Sequence, residues 1–342
     1  MTSTSANGCP ALLKSGENKG KPCGKPATHD GFCGIHKPKT IARVESAAPA
    51  TTSAQAVSVS NDATSLAMPA LGVPARMEVV QGDCLDVMRT MDADSAQIVI
   101  CDPPYNIGKD FGNDSDKQTL DEYLKWCDRW IAECLRVLRP NGTMFVYGFS
   151  ETLALILARV PMSVNRRWLV WHYTNKTVPS LNFWQRSHES ILVLWKVDKV
   201  FNRDAVREPY TEEFLEGSSG RERPATVGRF SNGTRSTTYT AHPEGALPRD
   251  VIKMPTLAGS NNERFRAVID DKEVVHPTQK PLSLCEKLLK SCEQGPNAGP
   301  VLIPFAGSGS ECLACKHLGL PFVAIELNSV YVELIKRRLA DG

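Results

Sequence analysis

The sequence predicts an α/β fold in which helices cover a parallel sheet. After Arg76, short apolar runs rich in β-branched residues alternate with stretches whose apolar side chains recur three and four positions apart. The first pattern is typical of strands and the second of amphipathic helices, and their alternation favours βαβ units. A chain of 342 residues is long enough for one large domain of this class and an appendage.

The alternating pattern places each element in chain order. We expect strands at residues 77–80, 96–101, 143–147, 168–172, 191–195, 300–304 and 321–325, and helices at residues 120–138, 282–292, 310–318 and 329–339. Between about residues 198 and 270 the alternation fails, and Arg, Gly, Pro, Ser and Thr dominate. This composition indicates an insertion into the domain of residues 76–342 rather than core.

The N-terminal region has a different composition. Residues 8–37 hold few large apolar side chains but four soft metal ligands, Cys9, Cys23, Cys33 and His36. Three thiolates and one imidazole can close a tetrahedral zinc site, and a segment so poor in core residues is of the kind that metal must fold. The alternative is a disordered tail with unrelated thiols. The lysines of this module favour an auxiliary contact to DNA, with protein binding as the alternative.

Composition narrows the class of protein further. The net charge of +2 is too small to indicate nucleic-acid binding by itself, so local clusters must decide. Most of the eleven cysteines are scattered through the body of the chain and no secretory signal precedes them, which favours a reducing, intracellular compartment. No apolar run approaches the roughly 18 residues of a membrane helix, and we expect a soluble protein. Residues 38–75 lack periodicity and are rich in Ala, Ser and Thr, which is typical of a flexible linker.

A glycine-rich loop follows a predicted buried strand near the C-terminus. It passes through Phe305, Gly307 and Gly309 into a helix, and the next strand ends in Glu326. Glycines let the backbone approach a ligand closely, and a carboxylate at a strand tip can accept both ribose hydroxyls. The loop has neither a dinucleotide fingerprint nor a P-loop lysine, which disfavours NAD and ATP and favours S-adenosylmethionine. An ordinary tight turn is the alternative.

A proline-rich turn follows the strand predicted at residues 96–101. It consists of Asp102, Pro103, Pro104 and Tyr105. The prolines fix φ and offer carbonyl acceptors without amide donors. Asp102 and the Pro103 carbonyl could accept both hydrogens of an exocyclic amine and aim its lone pair at a methyl group, while Tyr105 stacks on an extruded base. The alternative is a rigid loop whose aspartate caps a neighbouring amide.

Together these motifs resemble the amino-methyltransferases that modify DNA, in the β-class order where Asp-Pro-Pro-Tyr precedes Phe-x-Gly-x-Gly. Three further stretches support the resemblance: QGDCLDVM at 81–88, RSHESILVLWK at 186–196 and HPTQKP at 276–281. The resemblance covers about residues 77–340. It implies a Rossmann-like, S-adenosylmethionine-dependent methyltransferase fold with a target-recognition insertion at about 198–270, besides the small N-terminal module.

The resemblance also implies a role for each matching residue. The catalytic residues would be Asp102, Pro103, Pro104 and Tyr105. The cofactor-binding residues would be Asp83, Asp102, Thr278, Lys280, Phe305, Gly307, Gly309 and Glu326, with Thr278 and Lys280 near the methionine end. Asp83 could equally be only a helix N-cap, and the HPTQKP run only a rigid helix entry. Ile303 stands where the family usually carries aspartate, so a polar contact to the cofactor is expected to be missing.

The reaction so implied is transfer of the sulfonium methyl to adenine N6 in double-stranded DNA. Aspartate at the first motif position is usual in the adenine enzymes of the family, whereas serine is more frequent in its cytosine-N4 enzymes. Cytosine N4 is therefore the alternative acceptor. The alternative from another class is a zinc-containing DNA-binding protein of the same fold without turnover.

Partners and location follow from the same resemblance. Arginines of the insertion suit phosphates and guanine edges: Arg203, Arg207, Arg221, Arg223, Arg229, Arg235 and Arg249. Five aromatic residues are expected in the core rather than at bases: Trp168, Trp171, Tyr173, Phe183 and Trp184. No membrane contact is expected, while a homodimer and a separately encoded restriction nuclease stay open. The expected location is the cytoplasm, on the nucleoid for a bacterial or phage protein, or the nucleus for a eukaryotic one.

Overall fold

The computed structural model describes residues 77–111, 116–175, 179–229, 231–257 and 263–342. The predicted linker and the predicted zinc ligands Cys9, Cys23, Cys33 and His36 lie outside these residues. Within them, no helix has both the length and the apolar character required to span a membrane.

Helices and strands alternate along most of the described chain. The strands are β1 (Met77–Gln81), β2 (Ala96–Cys101), β3 (Leu138–Gly148), β4 (Asn165–His172), β5 (His188–Trp195), β6 (Glu222–Arg223), β7 (Val227–Gly228), β8 (Ser231–Asn232), β9 (Thr237–Thr238), β10 (Val251–Lys253), β11 (Ala267–Ile269), β12 (Lys272–Val274), β13 (Val301–Ile303) and β14 (Phe322–Glu326). The helices are α1 (Cys84–Arg89), α2 (Leu120–Val137), α3 (Ser150–Arg159), α4 (Glu212–Gly217), α5 (Leu282–Lys290), α6 (Ser310–His317) and α7 (Ser329–Asp341). Two 3₁₀ turns span Arg203–Val206 and Pro296–Ala298.

Eight strands form the main sheet, in the order β1-β14-β13-β2-β3-β5-β4-β10. The first five strands in this order, β1, β14, β13, β2 and β3, are parallel to one another. Strand β5 runs antiparallel to both of its neighbours, β3 and β4. The prediction of a parallel sheet is thus confirmed for five strands and wrong at β5, whose apolar run carries no signal of direction.

The predicted helices and strands lie close to the observed ones. Strand β2 is found at the predicted residues, and every one of its side chains is buried, as expected of a strand covered on both faces. Helix α2 ends one residue earlier than predicted. Its start is fixed by Thr119, whose hydroxyl accepts from the Glu122 amide while the Glu122 carboxylate accepts from the Thr119 amide. The sequence reasoning missed α3, a helix of 10 residues.

The core has two layers, one on each face of the sheet. Ile98 and Ile100 of β2 point toward α5 and α6, whereas Val99 and Cys101 point toward the cluster that contains Trp130 of α2. This alternation is the period of two expected of a strand. The eight described cysteines are all buried, and none of them is in a disulfide.

The stretch predicted as an insertion is mostly exposed, with short ladders of two residues per strand. One part of it belongs to the main sheet. Strand β10 pairs in parallel with β4, and its Ile252 is buried in the core. Sequence periodicity missed this strand because three residues are too few to show alternation.

Candidate active site

A cleft lies at the carboxyl ends of β1, β2, β13 and β14, with about 1130 Å³ of empty space that includes its part open to solvent. Ligands of open α/β sheets bind at this edge. Most of the predicted site residues line the cleft: Asp83, Asp102, Pro103, Pro104, Tyr105, Thr278, Phe305, Gly307 and Glu326. The two other predicted site residues, Lys280 and Gly309, do not line the cleft. Lys280 contacts Asp102, and Gly309 packs next to Ile335.

The glycine loop requires glycine at two positions. Gly307 and Gly309 have φ values of +49° and +73°, in the left-handed region that other residues adopt at a cost. A Cβ atom on Gly307 would lie 3.0 Å from the ring of His276, and one on Gly309 would lie 3.1 Å from Ile335. The backbone of the loop can therefore form one wall of the cleft only with these glycines.

Glu326 closes this loop from the end of β14. Its Oε2 atom accepts from the Gly307 amide at 2.8 Å, and its Oε1 atom accepts from the Asn328 amide at 2.9 Å. Burial raises the pKa of Glu326, although these amide donors oppose the change. The carboxylate is thus held at the tip of the strand, in the position predicted for a ribose acceptor.

Asp83 caps a helix and also lines the cleft. Its Oδ1 atom accepts from the Leu85 amide at 2.8 Å and so caps α1. The residue also lines the cleft. The capping hydrogen bond is therefore compatible with a position of Asp83 in the wall of the cleft.

A buried ion pair fixes the carboxylate of the proline-rich turn. The Lys280 Nζ atom lies 2.7 Å from each oxygen of Asp102 and 3.7 Å from Glu189. The Tyr105 hydroxyl lies 2.9 Å from Asp102 Oδ1 and 3.0 Å from Glu189 Oε2, and it donates to these carboxylates. The Tyr173 hydroxyl donates to the other Glu189 oxygen at 2.5 Å. Asp102 is therefore one member of a connected polar network.

The electrostatics of this network favour an ion pair at Asp102. The Lys280 side chain is only 4% exposed. Burial opposes its charge, but Asp102 and Glu189 outweigh burial and raise the pKa of Lys280 above its ordinary value. Burial raises the pKa of Asp102, and the charge of Lys280 counteracts that effect. Lys280 is expected near the methionine end of a cofactor, and the structure shows in addition its direct contact with Asp102 of the turn.

Glu311 is a site residue that sequence reasoning missed. It lines the cleft in the first turn of α6, is 3% exposed, and accepts from the Cys285 thiol at 3.4 Å. Burial and the nearby Asp102 raise its pKa to about 7. An acidic residue in the first turn of a helix is common, so no local pattern indicates that Glu311 is buried.

We expect Glu311 to make stability depend on pH. Its carboxyl binds a proton more tightly in the folded than in the unfolded protein, so this contribution to stability is full below about pH 4.5 and is lost as the pH rises through about 7. Glu311→Gln, which resembles the protonated form, should therefore gain about 3 kcal/mol of unfolding free energy relative to wild type across this window. Urea unfolding at several pH values measures the difference.

The matched control for this prediction is Glu333→Gln, which alters an exposed pair with Arg337. It should change the unfolding free energy by under about 1 kcal/mol at every pH. A difference between Glu311→Gln and wild type that stays constant with pH would contradict the expectation.

Two other segments support the glycine loop. His276 is buried beneath Gly307, between Phe111 and Tyr331, and desolvation lowers its pKa to about 3, so its ring is neutral. The Ser310 hydroxyl donates to the carbonyl of Lys280 at 2.7 Å and ties α6 to the HPTQKP segment. Pro281 is the N-cap of α5, so the segment also serves as a rigid helix entry.

Ile303, at the position where the resemblance leads one to expect aspartate, is fully buried in the apolar core. It brings no polar atom to the cleft. The carboxylic residues that line the cleft near the turn are Glu311, which is buried, and Asp102, which is partly buried.

The fold and the cleft together define a class of protein. A mixed α/β sheet with a glycine loop, an acidic strand end and a proline-rich turn at one edge is the architecture of an S-adenosylmethionine-dependent methyltransferase of Rossmann-like fold. The family model for DNA methylases of the N6 and N4 type matches residues 96–337, well over half of the chain. The protein therefore belongs to this family and is a DNA methyltransferase.

Individual relatives agree with this assignment. The type II methyltransferase M.HpaI of Haemophilus parainfluenzae is 28% identical over 267 residues, which cover 76% of this chain and 73% of the relative. The DNA adenine methyltransferase YhdJ of Escherichia coli K12 is 29% identical over 266 residues, 76% of this chain and 82% of the relative. The solved structure of the PvuII DNA methyltransferase, described as cytosine-N4-specific, is 14% identical and superposes with a TM-score of 0.52 over 78% of this chain and 88% of that one. The last comparison confirms the predicted fold.

Proposed function

We propose that this protein transfers a methyl group from S-adenosylmethionine to N6 of adenine at specific sites in double-stranded DNA. The observation that carries the proposal is the placement of Asp102 and Pro103 in the same cleft as Gly307 and Glu326. One end of the cleft thus offers acceptors for an amine, and the other offers a site for a nucleoside.

The residues of the cleft fit the cofactor. The glycine loop forms one wall of the cleft through Gly307, and Glu326 offers a fixed carboxylate for ribose hydroxyls. Phe305 forms an apolar wall, backed by Trp126 and Trp130. The bound cofactor supplies an electrophilic methyl group on its sulfonium.

The turn orients the acceptor amine. The Asp102 carboxylate and the Pro103 carbonyl accept its two hydrogens, so that the nitrogen lone pair points into the cleft. Pro103 and Pro104 bring no amide hydrogen to compete. When the nitrogen is methylated it must lose a proton, and Asp102 is the base in contact with it. Lys280 keeps that carboxylate in place and charged.

Adenine is the base that we favour. Asp102 is the residue usual in the adenine enzymes that this sequence resembles, and the relative YhdJ is a DNA adenine methyltransferase. The structure of the cytosine-N4-specific PvuII enzyme is alike in fold alone, at 14% identity, and carries no argument about the base. Cytosine N4 is the alternative that the test below distinguishes.

The proposal assigns DNA recognition to the stretch after β5. Four of its arginines are exposed and suited to phosphates or base edges, namely Arg221, Arg223, Arg235 and Arg249. Two others are engaged within the protein. Arg203 pairs with Asp204, and Arg207, whose side chain is 6% exposed, pairs with Asp204 and donates to the Gly245 carbonyl. Fewer arginines are therefore free to contact DNA than the arginine content of this stretch implied.

The N-terminal module stays a separate proposal. Cys9, Cys23, Cys33 and His36 would hold one structural zinc ion. Metal analysis of the reduced, purified protein tests it, with about one zinc per chain expected and none contradicting the assignment.

Glu326 allows a direct test of the cofactor site. Glu326→Ala should weaken binding of S-adenosylmethionine and S-adenosylhomocysteine about 10- to 100-fold, because hydrogen bonds to a charged group are lost. Calorimetry measures the affinities. An S-adenosylhomocysteine analogue without ribose hydroxyls should bind wild type more weakly than S-adenosylhomocysteine does. Its affinity for Glu326→Ala should equal its affinity for wild type. The control is Glu333→Ala, and equal affinity of wild type and Glu326→Ala would refute the role.

The proposed function itself is tested by expression in a host that lacks DNA adenine methylation. Mass spectrometry of nucleosides from that host's DNA should show N6-methyladenine, and a strain that carries Asp102→Ala should not. N4-methylcytosine in place of N6-methyladenine would move the assignment to the other base.

A further inference from the structure

An apolar tip projects from the loop between β4 and β5. Leu181, Phe183 and Trp184, which we call the apolar tip, are 91%, 80% and 87% exposed. The expectation that Phe183 and Trp184 lie in the core is wrong. It is confirmed for Trp171 and Tyr173, which are buried in β4 and just after it, while Trp168 is partly buried.

Residues that follow the tip along the chain connect it to the active site. The Arg186 guanidinium lies 4.2 Å from the centre of the Phe149 ring, which in turn contacts Tyr105 edge to face at 5.1 Å between ring centres. Arg186 also pairs with Glu151. Glu189, five residues after Trp184, hydrogen bonds to Tyr105. Five residues span at most about 17 Å, so the tip lies within that distance of Glu189, which contacts the turn.

The chemistry of the tip indicates what it contacts. Three large apolar side chains within four residues form a patch of the kind that marks an interaction site. A base inside a duplex cannot reach Asp102, so it has to leave the stack. Proteins that open a duplex insert apolar side chains between base steps, and exposed aromatic rings stack on bases. The composition of the tip and its connection to the turn therefore both fit contact with the stacked bases beside the target base.

We propose that the apolar tip enters the duplex next to the target and occupies the space that the extruded base leaves. This inference rests on the proposed action on double-stranded DNA. Phe183 and Trp184 stack on the bases that lose their neighbour, and Leu181 fills the gap beside them. Arg186 and Glu189 couple the inserted loop to the turn that receives the base.

The test compares native and heat-denatured unmethylated genomic DNA as substrates. In Phe183→Ala/Trp184→Ala, kcat/KM on native DNA should fall at least about tenfold, because two stacking contacts are lost. On denatured DNA, whose bases are already unstacked, it should fall less than about threefold. Trp184→Phe should keep most of the activity. Met162→Ala, at an apolar side chain that is 90% exposed elsewhere, should match wild type on both substrates.

A second measurement does not depend on turnover. Native DNA should quench part of the tryptophan emission of the wild type, and that part should be missing in Trp184→Phe. Equal quenching in both proteins, or an equal loss of activity on native and denatured DNA, would overturn the proposal. A wild type that methylates neither substrate would instead count against the proposed function. A change of oligomeric state in the variant, with normal activity on native DNA, would assign the tip to a protein contact.

Discussion

Replacing Asp102 with alanine should reduce methylation of DNA at least about 1000-fold. Both an acceptor for the amine and the base in contact with it disappear, and a positioned base contributes about 10²- to 10⁴-fold by itself. Binding of S-adenosylmethionine should change little by comparison, because the glycine loop and Glu326 do not depend on Asp102 for their contacts. Single-turnover rates and calorimetry measure the two quantities separately.

The matched control for Asp102 is Asp86→Ala. Asp86 pairs with Arg89 on the surface of α1 and does not line the cleft. Its loss should leave the rate within about twofold, as expected of an exposed ion pair. A rate for Asp102→Ala within tenfold of wild type would show that the amine is held and deprotonated elsewhere.

Replacing Lys280 with methionine should destabilise the protein by about 3 to 5 kcal/mol, because it leaves a buried carboxylate without its counter-ion. It should also move the activity to higher pH. Lys280 lowers the pKa of Asp102, so its removal raises that pKa, and the carboxylate then forms only at higher pH. Denaturant unfolding gives the first quantity, and the pH dependence of the single-turnover rate gives the second.

Lys290→Met is the control for this second effect. Lys290 pairs with Glu286 at a position where the lysine is 41% exposed, and the pair is worth under about 1 kcal/mol. An unchanged pH profile in Lys280→Met would mean that Lys280 does not set the charge of Asp102. An unchanged stability would mean that Glu189 and Asp102 are solvated in the variant.

The motifs allowed much of the site to be predicted, because each is local. Asp102 follows a strand, Gly307 follows another and Glu326 ends a third, and the carboxyl ends of parallel strands meet at one edge. The contacts between motifs could not be predicted in this way. The ion pair between Lys280 and Asp102 joins residues 178 positions apart, and no local pattern encodes it.

The burial of individual side chains also could not be predicted from local sequence patterns. Glu311 has the sequence context of an ordinary helix start, yet the packing of α5 and α6 buries it. Phe183 and Trp184 have the composition of core residues, yet they lie in a loop that leaves the sheet. The second half of strand β5 is apolar, and nothing in that run encodes the antiparallel direction in which β5 pairs with β3 and β4.

The most direct test of the account is to incubate the purified protein with S-adenosylmethionine that carries a deuterated methyl group and with unmethylated genomic DNA. Mass spectrometry of the released nucleosides should find the label on N6 of adenine. Label on N4 of cytosine would contradict the choice of base while leaving the amine site intact. DNA without label, from a folded protein that binds the cofactor, would contradict the central claim that this cleft methylates DNA.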